Sequence, residues 1–206
     1  MANFIIPGLP TEGDFGNLET VPSLYTDRTN EPAWNDASVE EGQRAAWRDW
    51  RRRLLQYRDY IHDLAAGDPH IQWEQRVLCI ASPKYFLAMY GWIFEPRDHV
   101  DPDYPDKGWR PWALLPHQVW LLDEIDIALQ HPSPLGDIVV EKSRDQGATW
   151  TFCGWVAHRW LFDQDFTAGM MSYREAEVVE DHPDSMMFKI KCILGVEEET
   201  PGLPFW

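Results

Sequence analysis

Between Glu141 and Trp150 the chain reads Glu-Lys-Ser-Arg-Asp-Gln-Gly-Ala-Thr-Trp, which sets two cations, a glycine and a hydroxyl in one short loop. Such a set can hold a polyphosphate. A helix beginning at Ala148 would aim its first N–H groups and the positive end of its dipole at the ligand. Gly147 permits close approach of the backbone, and Thr149 offers a hydroxyl to Mg²⁺. Lys142, on a long flexible stem at the loop entrance, can supply a point charge from the other side. Arg144 adds a second cation that could face charge developing on a γ-phosphate. Against the phosphate-loop pattern G-x-x-x-x-G-K-[ST], Gly147 and Thr149 occupy the second glycine and the hydroxyl positions. Ala148 stands in place of the lysine and Lys142 in place of the first glycine, so the plain motif does not match. The same residues would also serve as a charged turn between a strand and a helix.

Other residue types that carry chemistry are less well placed. Val119-Trp-Leu-Leu-Asp-Glu124 has four apolar residues followed by two acids, the look of a metal-coordinating strand end. Its apolar residues continue at helical spacing through Leu129, so it reads as an amphipathic helix. The seven histidines form no HxxxH or HxH pair suited to a metal. Asp163 and Asp165 flank a helix end and read as turn residues. Cys79, Cys153 and Cys192 lie in apolar surroundings without CxxC spacing, as expected of reduced thiols.

The elements that must position the loop follow from periodicity. Residues 1–37, rich in Pro, Gly, Asp and Asn, read as an extended arm. Ser38 and Glu41 form a capping box, and Trp47, Trp50, Leu54, Tyr57, Ile61 and Leu64 make a heptad seam that ends at Gly67-Asp68-Pro69. Further helices are expected around Ile71–Cys79 and Lys84–Trp92, with Pro83 in the first turn of the latter. Residues 38–94 therefore form a helical N-terminal region. Residues 95–113 read as a loop, and Pro116–Leu129 as a helix. Asp137–Glu141 reads as a short buried strand, Ala148–Phe162 as a helix, Thr167–Tyr173 as a second strand and Ser185–Leu194 as a helix. Strand and helix alternating in this order imply an α/β domain with a parallel sheet, of which the first strands are present.

The net charge of −16 excludes a protein that coats nucleic acid over its whole surface, although a local patch could still meet DNA. Six of the 18 basic residues, Arg44, Arg48, Arg51, Arg52, Arg53 and Arg58, sit on the long helix. Arg44, Arg51 and Arg58 fall seven apart on one edge of the seam. They suit contact with DNA or an acidic neighbouring subunit, or simply a solvated face. No stretch has the length of a membrane span, and the first residues do not read as a signal peptide, so a soluble cytosolic protein is expected. Twelve tryptophans, some in polar stretches (Trp34, Trp109, Trp206), point to surface that meets another part of a larger protein.

Lys142-Ser-Arg-Asp-Gln-Gly-Ala-Thr-Trp150 resembles the deviant phosphate loop of viral terminase large subunits, in which the lysine is displaced to the loop entrance. Tyr85-Phe-Leu-Ala-Met-Tyr-Gly-Trp-Ile-Phe-Glu-Pro-Arg97 and Leu115-Pro-His-Gln118 resemble the segments before it. Met171-Ser-Tyr-Arg-Glu175 and Asp181–Lys191 resemble those after it, so the similarity runs from about residue 82 to 206. The resemblance implies that residues 95–206 are the N-terminal half of a P-loop NTPase domain, lacking the strand-end Asp-Glu pair. It implies ATP and Mg²⁺ as cofactors, held by Lys142, Ser143, Arg144, Gly147, Ala148 and Thr149, with Gln118 on the adenine edge. Arg144 would be the catalytic cation and Thr149 the Mg²⁺ ligand. The implied activity is ATP-driven packaging of double-stranded DNA into a capsid, in the host cytoplasm. The implied partners are a portal protein, a small terminase subunit, DNA and further copies of the chain in a ring. Without the acidic pair, turnover by these residues alone is expected to be negligible. Two other readings fit the residues: a helicase-like P-loop ATPase, and a short non-catalytic protein that assembles with full-length motors.

Overall fold

A computed structural model describes residues 37–96, 108–130, 138–141 and 147–196. The arm up to residue 36, the loop residues Lys142, Ser143 and Arg144, and the side chain of Arg44 lie outside the described residues. The chain divides into two units, Met1–Asp63 and Leu64–Trp206.

The described part of the first unit belongs to helix α1, Ala37–Gly67, which covers the span expected from the capping box and the terminating Gly-Asp-Pro. Arg51, Leu54, Arg58 and Ile61 are buried along it, spaced three, four and three apart. Of the expected seam, Leu54 and Ile61 are buried, Arg51 and Arg58 are buried beside them, and the side chains of Trp47 and Trp50 lie outside the described residues. Tyr57 lies at its margin, and Leu64 is exposed.

In the second unit α2 spans Pro69–Ala81 and α3 spans Pro83–Tyr90. Their boundaries follow from capping. The Asp68 carboxylate accepts from the His70 N–H at 2.8 Å, and the Ser82 hydroxyl accepts from the Tyr85 N–H at 3.2 Å. A proline follows each cap, where its missing N–H costs nothing. The two helices are tied by Gln75, whose Oε1 accepts from the Tyr85 hydroxyl at 2.6 Å and the Tyr90 hydroxyl at 3.1 Å. Strands β1 (Trp92–Glu95) and β2 (Gly108–Pro111) then pair antiparallel, with Phe94 opposite Trp109. Both were expected otherwise, Trp92 in a helix and 108–111 in a loop. The pairing is favoured because Trp109 gains Phe94 edge-on at 5.2 Å and Phe188 stacked at 6.4 Å.

The remaining elements are α4 (Pro116–Gln130), α5 (Ala148–Phe162), the single turn α6 (Ala176–Val179) and α7 (Met186–Ile193). Helix α5 is the centre of the unit and packs on α3, α4 and α7. Its approach to α3 is close because residue 154 is glycine. A Cβ there would lie 2.9 Å from the Leu87 side chain and 3.0 Å from the Trp112 ring. Phe86, Leu87, Tyr90, Trp112, Leu122, Cys153 and Ala157 fill the core around it. Val119–Glu124 lies inside α4, as its periodicity required, with Asp123 paired to Lys84 at 2.6 Å.

The expected strands Asp137–Glu141 and Thr167–Tyr173 are not formed where the chain is described, and the sheet present is the antiparallel β1–β2 pair. Val139 is 90% exposed and Met171 91% exposed. A strand needs a neighbour to take its N–H and C=O groups, and neither segment has one among the described residues. The β-branched run 138–140 is strand-like in composition and unpaired among the described residues. The chain combines helices with a small sheet; a parallel sheet is not among its described elements. No described helix is long and apolar enough to cross a membrane.

Candidate functional site

The site expected from the loop centres on the start of α5, and here Gly147 is the key backbone position. It sits at φ 70°, ψ 11°, in the left-handed region, and serves as N-cap with no side-chain cap bond. Its carbonyl opens the helix, accepting from the Thr151 N–H at 3.0 Å and the Thr151 hydroxyl at 3.1 Å. A left-handed residue at this point needs glycine, which the sequence provides. The first-turn N–H groups of α5 have no intrahelical acceptor and carry the positive end of the helix dipole. Ala148 is buried and takes the backbone role only.

Thr149, one residue on, is exposed and borders an open cleft of about 460 Å³. The far wall is the segment around α6: Arg174, Glu177, Glu180, His182 and Asp184. Arg174 lies over the Tyr173 ring at 4.9 Å, and Glu177 accepts a short hydrogen bond from the Ser172 hydroxyl. Three carboxylates around the cleft disfavour a bare polyphosphate and favour one that arrives with a divalent cation. The Thr149 hydroxyl and carboxylate oxygens are the hard donors that Mg²⁺ takes, alongside phosphate oxygens and water. Among the described residues no three His, Cys, Asp or Glu side chains are gathered closely enough to hold a metal by themselves. The described residues thus suit a cation brought in with its phosphate ligand.

Gln118 lies at the other side of Gly147 and is buried. Its Oε1 accepts from the Trp112 indole N–H at 3.2 Å and the Leu115 N–H at 3.0 Å. Trp112, fully buried, also meets Trp150 edge-on at 6.1 Å. Beneath the first turn of α5 sits Lys189 of α7. Its ammonium donates to the Pro183 carbonyl at 2.7 Å and the Ser185 carbonyl at 3.3 Å, with the Trp150 ring 5.6 Å away. Burial pushes its pKa down. Lys189 shapes the 180–185 turn that lines the cleft.

Of the expected site residues, Gln118 lies against Gly147, and Ala148 and Thr149 follow in the first turn of α5. Arg51 and Arg58 are buried on α1. Sequence reading missed Trp112 and Lys189. A signal for Lys189 was present: a lysine one turn beyond Ser185, flanked by Phe188 and Ile190, must find acceptors close by if that face of the helix is buried. Nothing in the local sequence marks Trp112, whose partners lie on α4 and α5. All three cysteines are buried, and burial raises the Cys153 thiol to about 11, which makes it an inert core group.

No protein-family model matches the chain, and no curated protein or solved structure does.

Proposed function

We propose that the start of α5 is a polyphosphate-binding site for ATP with Mg²⁺, and that the chain is the ATP-binding part of a viral terminase large subunit. On this reading the larger machine couples ATP hydrolysis to the packaging of double-stranded DNA, as a ring seated on a portal and fed by a small subunit. The observation that carries the reading is the left-handed Gly147 opening α5, with the Thr149 hydroxyl exposed beside it. A glycine-started helix N-terminus after a loop bearing Lys142 and Arg144 is a physical arrangement suited to phosphate. The reading also holds that the segments 138–141 and 167–173 become strands of a parallel sheet when further strands are supplied.

The test is calorimetric titration of the folded chain with Mg-ATP, beside the variants Lys142→Ala and Arg144→Ala. Binding is expected in the wild type and is expected to fall at least about tenfold in Lys142→Ala, as loss of a charge-assisted contact requires. Turnover is expected to be negligible in every sample, and a steady Lys142-dependent ATPase rate would refute that part. Binding that survives Lys142→Ala unchanged would refute the site.

A second reading has its own observation. Val139, Met171, Tyr173, Trp73 and Trp160 are all more than 60% exposed, apolar or aromatic side chains that a partner could cover. A non-catalytic protein that assembles with a motor would display such side chains. Absence of any nucleotide binding in a folded chain selects this reading over the first.

A further inference from the structure

To recognise adenine through its amide, Gln118 must offer an acceptor to the exocyclic amine and a donor to the ring nitrogen. The acceptor is already used. Oε1 takes the Trp112 indole N–H at 3.2 Å and the Leu115 N–H at 3.0 Å. Both neighbours are donors, so the amide cannot be turned over without setting its NH₂ against two N–H groups. The Nε2 end lies against Gly147, where a Cβ would come within 2.4 Å of it. Trp112 itself meets the Trp150 ring and would lie 3.0 Å from a Cβ at Gly154. Gln118 and Trp112 thus form a packed joint against the first turns of α5.

We propose that Gln118 is a positioning residue that latches the left-handed Gly147, and with it the first turn of α5, and that it does not read a base. The inference rests on the polyphosphate reading of that turn and adds a consequence for specificity. The nucleotide is held by its phosphates, and Gln118 contributes no choice between adenine and guanine.

Three variants separate latch from reader. Gln118→Leu removes the acceptor, Gln118→Glu keeps an acceptor for both N–H donors, and Trp112→Phe removes one donor while leaving most of the core volume. Amide hydrogen exchange on the ligand-free chain is expected to quicken about tenfold at Thr151 in Gln118→Leu, and to return towards wild type in Gln118→Glu. Trp112→Phe is expected to fall between, and it supplies the same readout if the leucine variant does not fold. With Mg-ATP and Mg-GTP as probes, Gln118→Glu is expected to weaken both together, because its carboxylate stands beside the phosphate site, leaving their ratio unchanged. Unchanged exchange at Thr151 in Gln118→Leu and Trp112→Phe would overturn the latch. A shift of about tenfold in the ATP-to-GTP ratio in Gln118→Glu would also overturn it, since a single base-edge pair is worth that much. If the wild type binds neither nucleotide, the polyphosphate reading fails, and the exchange result alone upholds or overturns the latch.

Discussion

Gly147 shows how much one residue can carry. Its left-handed backbone lets the chain turn into α5 without a side-chain cap, and its lack of a Cβ leaves room for the Gln118 amide. Gly147→Ala meets both constraints at once and is expected to cost about 1–3 kcal/mol, read as a lower midpoint in urea unfolding. The double variant Gly147→Ala with Gln118→Ala removes the clash but keeps the strained φ, so it is expected to couple non-additively with the single changes. Strict additivity would show that the two residues are not in contact. The sequence suggests a phosphate-type loop at 142–149 because lysine, arginine, glycine and threonine each have a distinct physical use there; of that stretch the described residues show the left-handed Gly147 and the start of α5. That the Gln118 side chain lies against Gly147 was not legible. Its partners, Trp112 and Gly147, are set by how α4 meets α5.

At the scale of elements, the junction of α2, α3 and α5 is built around His158. The ring is buried between Phe86 at 5.7 Å and Phe162 at 5.0 Å. Its Nε2–H donates to the Cys79 carbonyl at 2.7 Å, and Nδ1 is buried without a hydrogen-bond partner among the described residues. Burial, first, and the neighbouring Arg159 lower its pKa below the ordinary 6.5, although the Cys79 carbonyl, Asp163 and Asp126 pull the other way. Between the folded and unfolded pKa the unfolded chain binds a proton that the folded chain does not. Stability from this group is therefore fully present above 6.5 and is lost as the pH falls below it. Melting temperature is expected to drop more steeply from about pH 7 to about pH 5 in the wild type than in His158→Gln, which keeps a donor for Cys79 but does not titrate. Parallel curves would remove His158 as the cause. The helices themselves were readable from the chain: α5 begins and ends where its apolar pattern does, and the Ser82-Pro83 and Asp68-Pro69 caps mark α2 and α3. The β1–β2 pair was hidden because its two halves are separated by a Pro- and Asp-rich stretch.

Across the whole molecule the described surface leaves apolar side chains in water. Val139 and Met171 contribute almost nothing to the core, at 90% and 91% exposed. Val139→Asp and Met171→Asp are therefore expected to change unfolding free energy by no more than about 0.5 kcal/mol, and to reduce self-association or capture of other chains measured by sedimentation. A large loss of stability in either would mean that these segments already pack as buried strands in solution.

The amino-acid sequence by itself determined the helices, their caps and the glycine-opened start of α5, because periodicity, capping and left-handed backbone are properties of near neighbours in the chain. It also determined that 138–140 has the composition of a strand. Tertiary structure decided whether that composition is used. A strand exists only beside another, and hydrogen bonds to a distant segment cannot be read from a local one. For the same reason it decided that Arg51 and Arg58 lie buried on α1 and that the Gln118 acceptor is spent on Trp112 and Leu115. Each depends on which distant atoms arrive within a few ångströms, and only the packed chain sets that distance.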